Sequence, residues 1–168
     1  MGKSRKFKEQ KPVEDIEKHY TSEALVKKLV ELVPYSKTDF VVDCASGRNM
    51  VFFNNFKTDN KEFCEIDLQK DFFEFNKPVD WFITNPPFHL CWKFIDHAST
   101  LASKGFAFVL SSNSLLSLTP RRLTILRNRG FEITSIHIFN VKKWFGRYYF
   151  VVFEKNKKSI INWLEGVW

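Results

Sequence analysis

The chain is short of glycine, with six in 168 residues, and it has no apolar run near the roughly 20 residues a bilayer-spanning helix needs. A collagen-like, low-complexity or membrane-spanning helical chain is therefore not expected. Its start, Met1-Gly2-Lys3-Ser4-Arg5-Lys6, leads into charge and not into an apolar signal core, so a protein inside the cell is expected. Met1-Gly2 is only part of a myristoylation pattern. Three cysteines, Cys44, Cys64 and Cys91, form no CxxC pair and cannot all pair with one another. They read as buried thiols. The four histidines, His19, His89, His97 and His137, share no metal-ligand spacing with those cysteines, so no metal is expected.

What the chain has in excess is phenylalanine, nineteen residues, and positive charge, a net +7. The charge is concentrated in two places. Residues 119–158 carry ten bases against Glu132 and Glu154, and residues 1–12 carry five against Glu9. In the first stretch Arg121, Arg122, Lys142, Lys143 and Arg147 stand among Trp144, Phe145, Tyr148 and Tyr149. That mixture suits phosphates and unstacked bases, although a solvated helix face with a solubilising tail would have a similar composition.

Residues 1–18 are polar, with no apolar period, and read as a basic arm. Thr21-Ser22-Glu23 opens a helical pattern that runs towards Pro34. Strands are expected at 40–42, 62–66, 81–84, 106–110, 131–139 and 148–153, and helices at 90–102, ended by Lys104-Gly105, and at 120–129. The link between the last two strands is too short for a helical crossover, so that pair should be antiparallel. Strands alternating with helices and ending in a hairpin imply a three-layer α/β sheet.

Asn85-Pro86-Pro87-Phe88 follows an apolar strand and so lies at its carboxyl end, where open α/β sheets bind ligands. Pro87 has no N–H to compete for the Pro86 carbonyl, and Asn85 adds a side-chain oxygen. Together they can accept both hydrogens of an exocyclic amine while Phe88 stacks on its ring. Read alone, the four residues could equally be a rigid turn.

With Val41-Val42-Asp43-Cys44-Ala45-Ser46-Gly47 ahead of it, this motif resembles those of class I S-adenosylmethionine-dependent methyltransferases, specifically the N6-adenine family. The resemblance covers about residues 19–154 and follows the gamma order of motifs of amino-methylating DNA enzymes. It implies a Rossmann-like methyltransferase fold with a mostly parallel seven-stranded sheet and a C-terminal antiparallel hairpin. One catalytic domain would span 19–168, with no separate target-recognition domain. Asn85, Pro86, Pro87 and Phe88 would be catalytic. Tyr20 and Thr21 would contact the cofactor's methionine part, and Ala45 and Gly47 would belong to the glycine loop. Asp43, at the end of the first strand, would hold the cofactor's amino group, although it could also simply cap the turn. Glu65 would bind the ribose hydroxyls, with Asp67 as the near alternative. Asp71 would receive the adenine amino group, and Phe72 would pack on that ring. Arg121, Arg122, Lys142, Lys143 and Arg147 would meet phosphates, and Trp144 or Phe145 would stack on the target base, although Trp144 also suits a core position. The implied activity is methylation of adenine N6 in DNA. Adenine in RNA, a glutamine side chain in protein, and an inactive nucleic-acid-binding subunit remain open, as does a protein partner that supplies specificity. The chain departs from the family at Gly47-Arg48-Asn49, where Asn49 stands in place of a second glycine and would have to take up a positive φ.

Overall fold

The computed structural model describes residues 21–141, 144 and 146–164. Tyr20, Lys142, Lys143, Phe145 and the basic arm lie outside the described residues. Along the chain the elements are α1 (Glu23–Glu31), β1 (Val41–Asp43), α2 (Val51–Asn55), β2 (Lys61–Phe63), β3 (Val79–Thr84), α3 (Cys91–Leu101), β4 (Ala102–Ser111), α4 (Ser112–Leu116), α5 (Pro120–Asn128), β5 (Phe131–Phe139) and β6 (Tyr148–Lys155). They form one sheet in the order β2-β1-β3-β4-β6-β5. The strands β2, β1, β3 and β4 are mutually parallel, and β6 runs antiparallel to both of its neighbours.

Alternation along the strands sends side chains to two cores, one on each face. Val41, Trp81, Ile83, Val109, Phe150 and Val152 pack with Val26, Leu29 and Val30 of α1 and Phe52 of α2. Val42, Phe82, Phe106, Phe108, Val151 and Phe153 pack with Phe94, Ile95 and Ala98 of α3 and Leu123 and Leu126 of α5. The result is the expected three-layer α/β fold with its terminal hairpin.

The sheet has six described strands where seven were expected. After β2 the chain turns through two 3-10 segments, Ile66–Leu68 and Phe72–Glu74, and a bridge between Glu65 and Lys70. That connection to β3 is too short for another strand and its return helix, so β2 forms the sheet edge.

Helix starts follow side-chain capping. Ser22 accepts from the Leu25 N–H at the start of α1, and Thr119 accepts from the Arg122 N–H ahead of Pro120 in α5. Gly130 closes α5 with φ +88°. Gly105 does not end α3, which stops at Leu101; it lies inside β4, where a Cβ would stand 2.5 Å from the Trp81 ring. Here glycine serves close packing of sheet and side chain.

Candidate active site

The carboxyl ends of β1 and β3 lie side by side because the two strands pair in parallel, Val42 opposite Phe82. The chain leaves β1 into Ala45-Ser46-Gly47 and leaves β3 into Asn85-Pro86-Pro87-Phe88. Both loops line one cleft of about 250 Å³, together with Thr21, Arg48, Asn49, Val51, Phe52, Glu65 and Asp67. Thr21, Ala45, Gly47, Glu65, Asp67, Asn85, Pro86, Pro87 and Phe88, all singled out from the sequence, are thus brought together.

Gly47 carries φ +60°, and a Cβ built on it would meet nothing within 4 Å. Its backbone is therefore open to close approach by a ligand. Asn49 does not take up the left-handed conformation expected of it; Met50 does, at φ 49°, as the N-cap residue ahead of α2. The turn is completed one residue later than the family pattern suggests.

Asp43 does not face the cleft. It is fully buried, and its carboxylate accepts from the Thr84 hydroxyl at 2.6 Å, the Ala45 N–H at 3.3 Å and the Phe53 N–H at 3.2 Å. Burial pushes its carboxyl up to about 7, and these three donors act in the opposite direction. Asp43 therefore ties the glycine loop, α2 and the residue before Asn85 into one rigid piece. A direct contact with a ligand's amino group is corrected to a positioning role.

Glu65 and Asp67 both reach the cleft, but their surroundings differ. Arg48 engages Asp67 at 3.2 Å, whereas Glu65 accepts from the Asp67 N–H at 3.2 Å through one oxygen only. Glu65 is thus the better placed of the two to receive a diol. Ile66, between them, is 71% exposed and was not singled out from the sequence. Its exposure was hidden because a Cys64-Glu65-Ile66 alternation reads as strand, while the chain here is already turning.

Asp71 and Phe72 lie away from this cleft. Asp71 caps the 3-10 turn through the Phe73 N–H at 2.9 Å and lines a neighbouring polar pocket with Glu62 and Lys70. The Phe72 ring is buried and stacks on Phe94 at 5.1 Å, so it cannot pack on a ligand ring in the cleft. The apolar gain of filling the α3 face outweighs exposure beside a polar turn.

On the far side, Phe88 stands 5.6 Å from Tyr148, and Trp144 meets Tyr148 edge-on at 4.7 Å. Tyr148, at the start of β6, is the buried link between the Asn85-Pro86-Pro87-Phe88 loop and the hairpin. Two serines of α4 reinforce that link: Ser114 donates to the Phe88 carbonyl at 3.3 Å, and Ser112 donates to the Arg147 carbonyl at 3.2 Å. Neither serine was singled out from the sequence, since a helix of five residues shows no period. Arg121 and Arg147 are exposed, while Arg122 lies over Trp92 at 4.7 Å. Among the described residues no cluster of His, Cys, Asp or Glu could hold a metal ion. No described helix is long and apolar enough to cross a membrane.

No family model and no curated protein matches the sequence. Solved structures do. The chain is similar to a Pyrococcus horikoshii protein provisionally named an RNA methyltransferase, with TM-score 0.64, 17% identity, and 79% of this chain and 84% of that one covered. It is also similar to a Listeria monocytogenes protein provisionally named a class I S-adenosylmethionine-dependent methyltransferase, with TM-score 0.58, 15% identity, and 85% and 62% covered. A third is the magnesium protoporphyrin IX methyltransferase of Synechocystis with bound SAH, with TM-score 0.53, 12% identity, and 79% and 82% covered. The chain has the Rossmann-like fold of class I S-adenosylmethionine-dependent methyltransferases.

Proposed function

We propose that this chain uses S-adenosylmethionine to methylate the exocyclic N6 amine of adenine in nucleic acid, with DNA as the substrate. The observation that carries the proposal is the single cleft lined at once by the Gly47 loop, Glu65 and Asn85-Pro86-Pro87-Phe88. The residues present suit the cofactor: a glycine backbone open to close approach, an acid able to accept from a diol, and apolar walls from Val51, Phe52 and Pro86. S-adenosylmethionine supplies a methyl group on a sulfonium, which carries its own leaving group. The fold itself supports this cofactor, and one similar structure holds SAH.

The chain's task is alignment and charge stabilisation. The Pro86 carbonyl and Asn85 Oδ1 accept the two amine hydrogens and direct the nitrogen lone pair towards the methyl carbon. With the cofactor bound, these two acceptors would hold the nitrogen for an N–C bond to form as the S–C bond breaks, the amine proton passing to solvent. Phe88 packs on the adenine ring, which offsets part of the cost of unstacking it. Tyr20, Lys142, Lys143 and Phe145 keep the roles the resemblance implies for them, as does Trp144 beside Tyr148.

RNA is the second reading, favoured by the name of the Pyrococcus horikoshii protein. Incubation with methyl-labelled cofactor and matched DNA and RNA pools, followed by nucleoside mass spectrometry, decides between them. N6-methyladenosine confined to the RNA pool overturns the DNA assignment. Asn85→Ala is expected to abolish transfer while calorimetry still finds cofactor binding; unchanged turnover in that variant removes Asn85 from the mechanism. A wild-type chain that binds no cofactor at millimolar concentration favours a non-enzymatic nucleic-acid-binding role.

A further inference from the structure

A carboxamide has two ends of nearly equal shape and opposite hydrogen-bonding role, so its function depends on which end faces the ligand. In Asn85 the amide nitrogen donates to the Thr21 hydroxyl at 3.1 Å, and Oδ1 is buried. Thr21 is 64 residues away in sequence and only 8% exposed. It directly precedes Ser22, the N-cap of α1, whose Val26, Leu29 and Val30 are sunk in the core. The hydroxyl is therefore held by a packed helix and not by a loose loop. Both residues line the cleft.

We propose that Thr21 is the positioning residue that sets the orientation of the Asn85 amide and so governs whether the oxygen is presented to the target amine. This rests on the function proposed above. As found, the amide gives its nitrogen to Thr21 and buries its oxygen, so receiving an amine requires the amide to turn about its Cβ–Cγ bond. A threonine hydroxyl accepts from nitrogen in one pose and donates to oxygen in the other, so it holds both. Once turned, Oδ1 accepts from Thr21 through one lone pair and from the substrate amine through the other. This role differs from the cofactor contact that the resemblance implies for Thr21, and the two separate by experiment.

The test compares Thr21→Val with Thr21→Ser. In the free protein, the Asn85 side-chain amide resonances should shift and exchange faster with solvent in Thr21→Val, and stay near wild type in Thr21→Ser. In turnover, Thr21→Val should lose about ten- to a hundredfold in kcat, the scale of a misaligned reacting group, with the KM for cofactor nearly unchanged. Thr21→Ser should recover most of that loss. Thr21→Ala repeats the comparison if the valine variant folds poorly. Unmoved Asn85 resonances in Thr21→Val overturn the proposal, as does a raised cofactor KM with kcat intact, which makes Thr21 a plain cofactor contact. If wild-type protein methylates no nucleic acid yet its Asn85 amide moves in Thr21→Val, the positioning role stands and the proposed function falls.

Discussion

Asp43 is where the chemistry of one residue has the widest reach. Its folded carboxyl protonates near pH 7, whereas the ordinary value is 3.8. Between those values the folded chain holds a proton that the unfolded chain has lost. The stability this group contributes is therefore full below about pH 4, falls as pH rises towards 7, and levels off above it. At about 1.4 kcal/mol per pH unit the loss is of order 4 kcal/mol at most. The difference in unfolding free energy between wild type and Asp43→Asn, followed across that window, should carry the slope; parallel profiles would refute it. Burial raises the cysteine thiols as well, pushing Cys64 and Cys91 up to about 12 and Cys44 well above the ordinary thiol value. All three should resist an aromatic disulfide reagent at pH 8 and react once denatured. A thiol that reacts rapidly in the native protein would contradict that burial.

At the scale of elements, what could be read from the sequence depended on length and on partners. The helices α1 and α5, with their Ser22 and Thr119 caps, and the strands β5 and β6 repeat their pattern often enough to be legible. The five-residue helices α2 and α4 are not, because neither completes two turns. The loop Asn85-Pro86-Pro87-Phe88 was legible because two prolines and an asparagine end an apolar strand. Phe72 was misplaced because a motif records order along the chain and not which way a ring turns. Gly105 belongs here too, since its reason lies on the neighbouring strand. A Cβ at Gly105 would collide with the Trp81 ring and the Phe153 carbonyl. Gly105→Ala should cost about 1 to 3 kcal/mol of stability, the range for overpacking a core. Trp81→Phe removes the ring atoms that collide, so the double variant should recover part of the loss and leave the carbonyl contact unrelieved. Additive effects in that cycle would mean the ring is not what excludes the methyl group.

For the whole molecule, the net charge of +7 matters less than where unengaged cations lie. The structure divides the basic stretch that the sequence presents as one. Arg127 pairs with Glu132 and lies over Trp163, and Arg129 bonds to Asp96 and Ser99, so these two cations bind the fold together. Arg147 is exposed and directly precedes Tyr148, the ring that meets Phe88, so it is the exposed cation next in sequence to the cleft's aromatic side. Each phosphate neutralised releases counterions, so binding to duplex DNA should weaken with salt by about 0.9 log units per tenfold salt for every contact. Arg147→Gln should lower the magnitude of that slope by about one and leave the thermal midpoint unchanged. Arg129→Gln should do the reverse, lowering the midpoint with the slope intact, because the Asp96 and Ser99 contacts are lost and no phosphate is. Titrations of both variants at several salt concentrations check the division. Equal slopes for Arg147→Gln and wild type would remove Arg147 from the proposed nucleic-acid contacts.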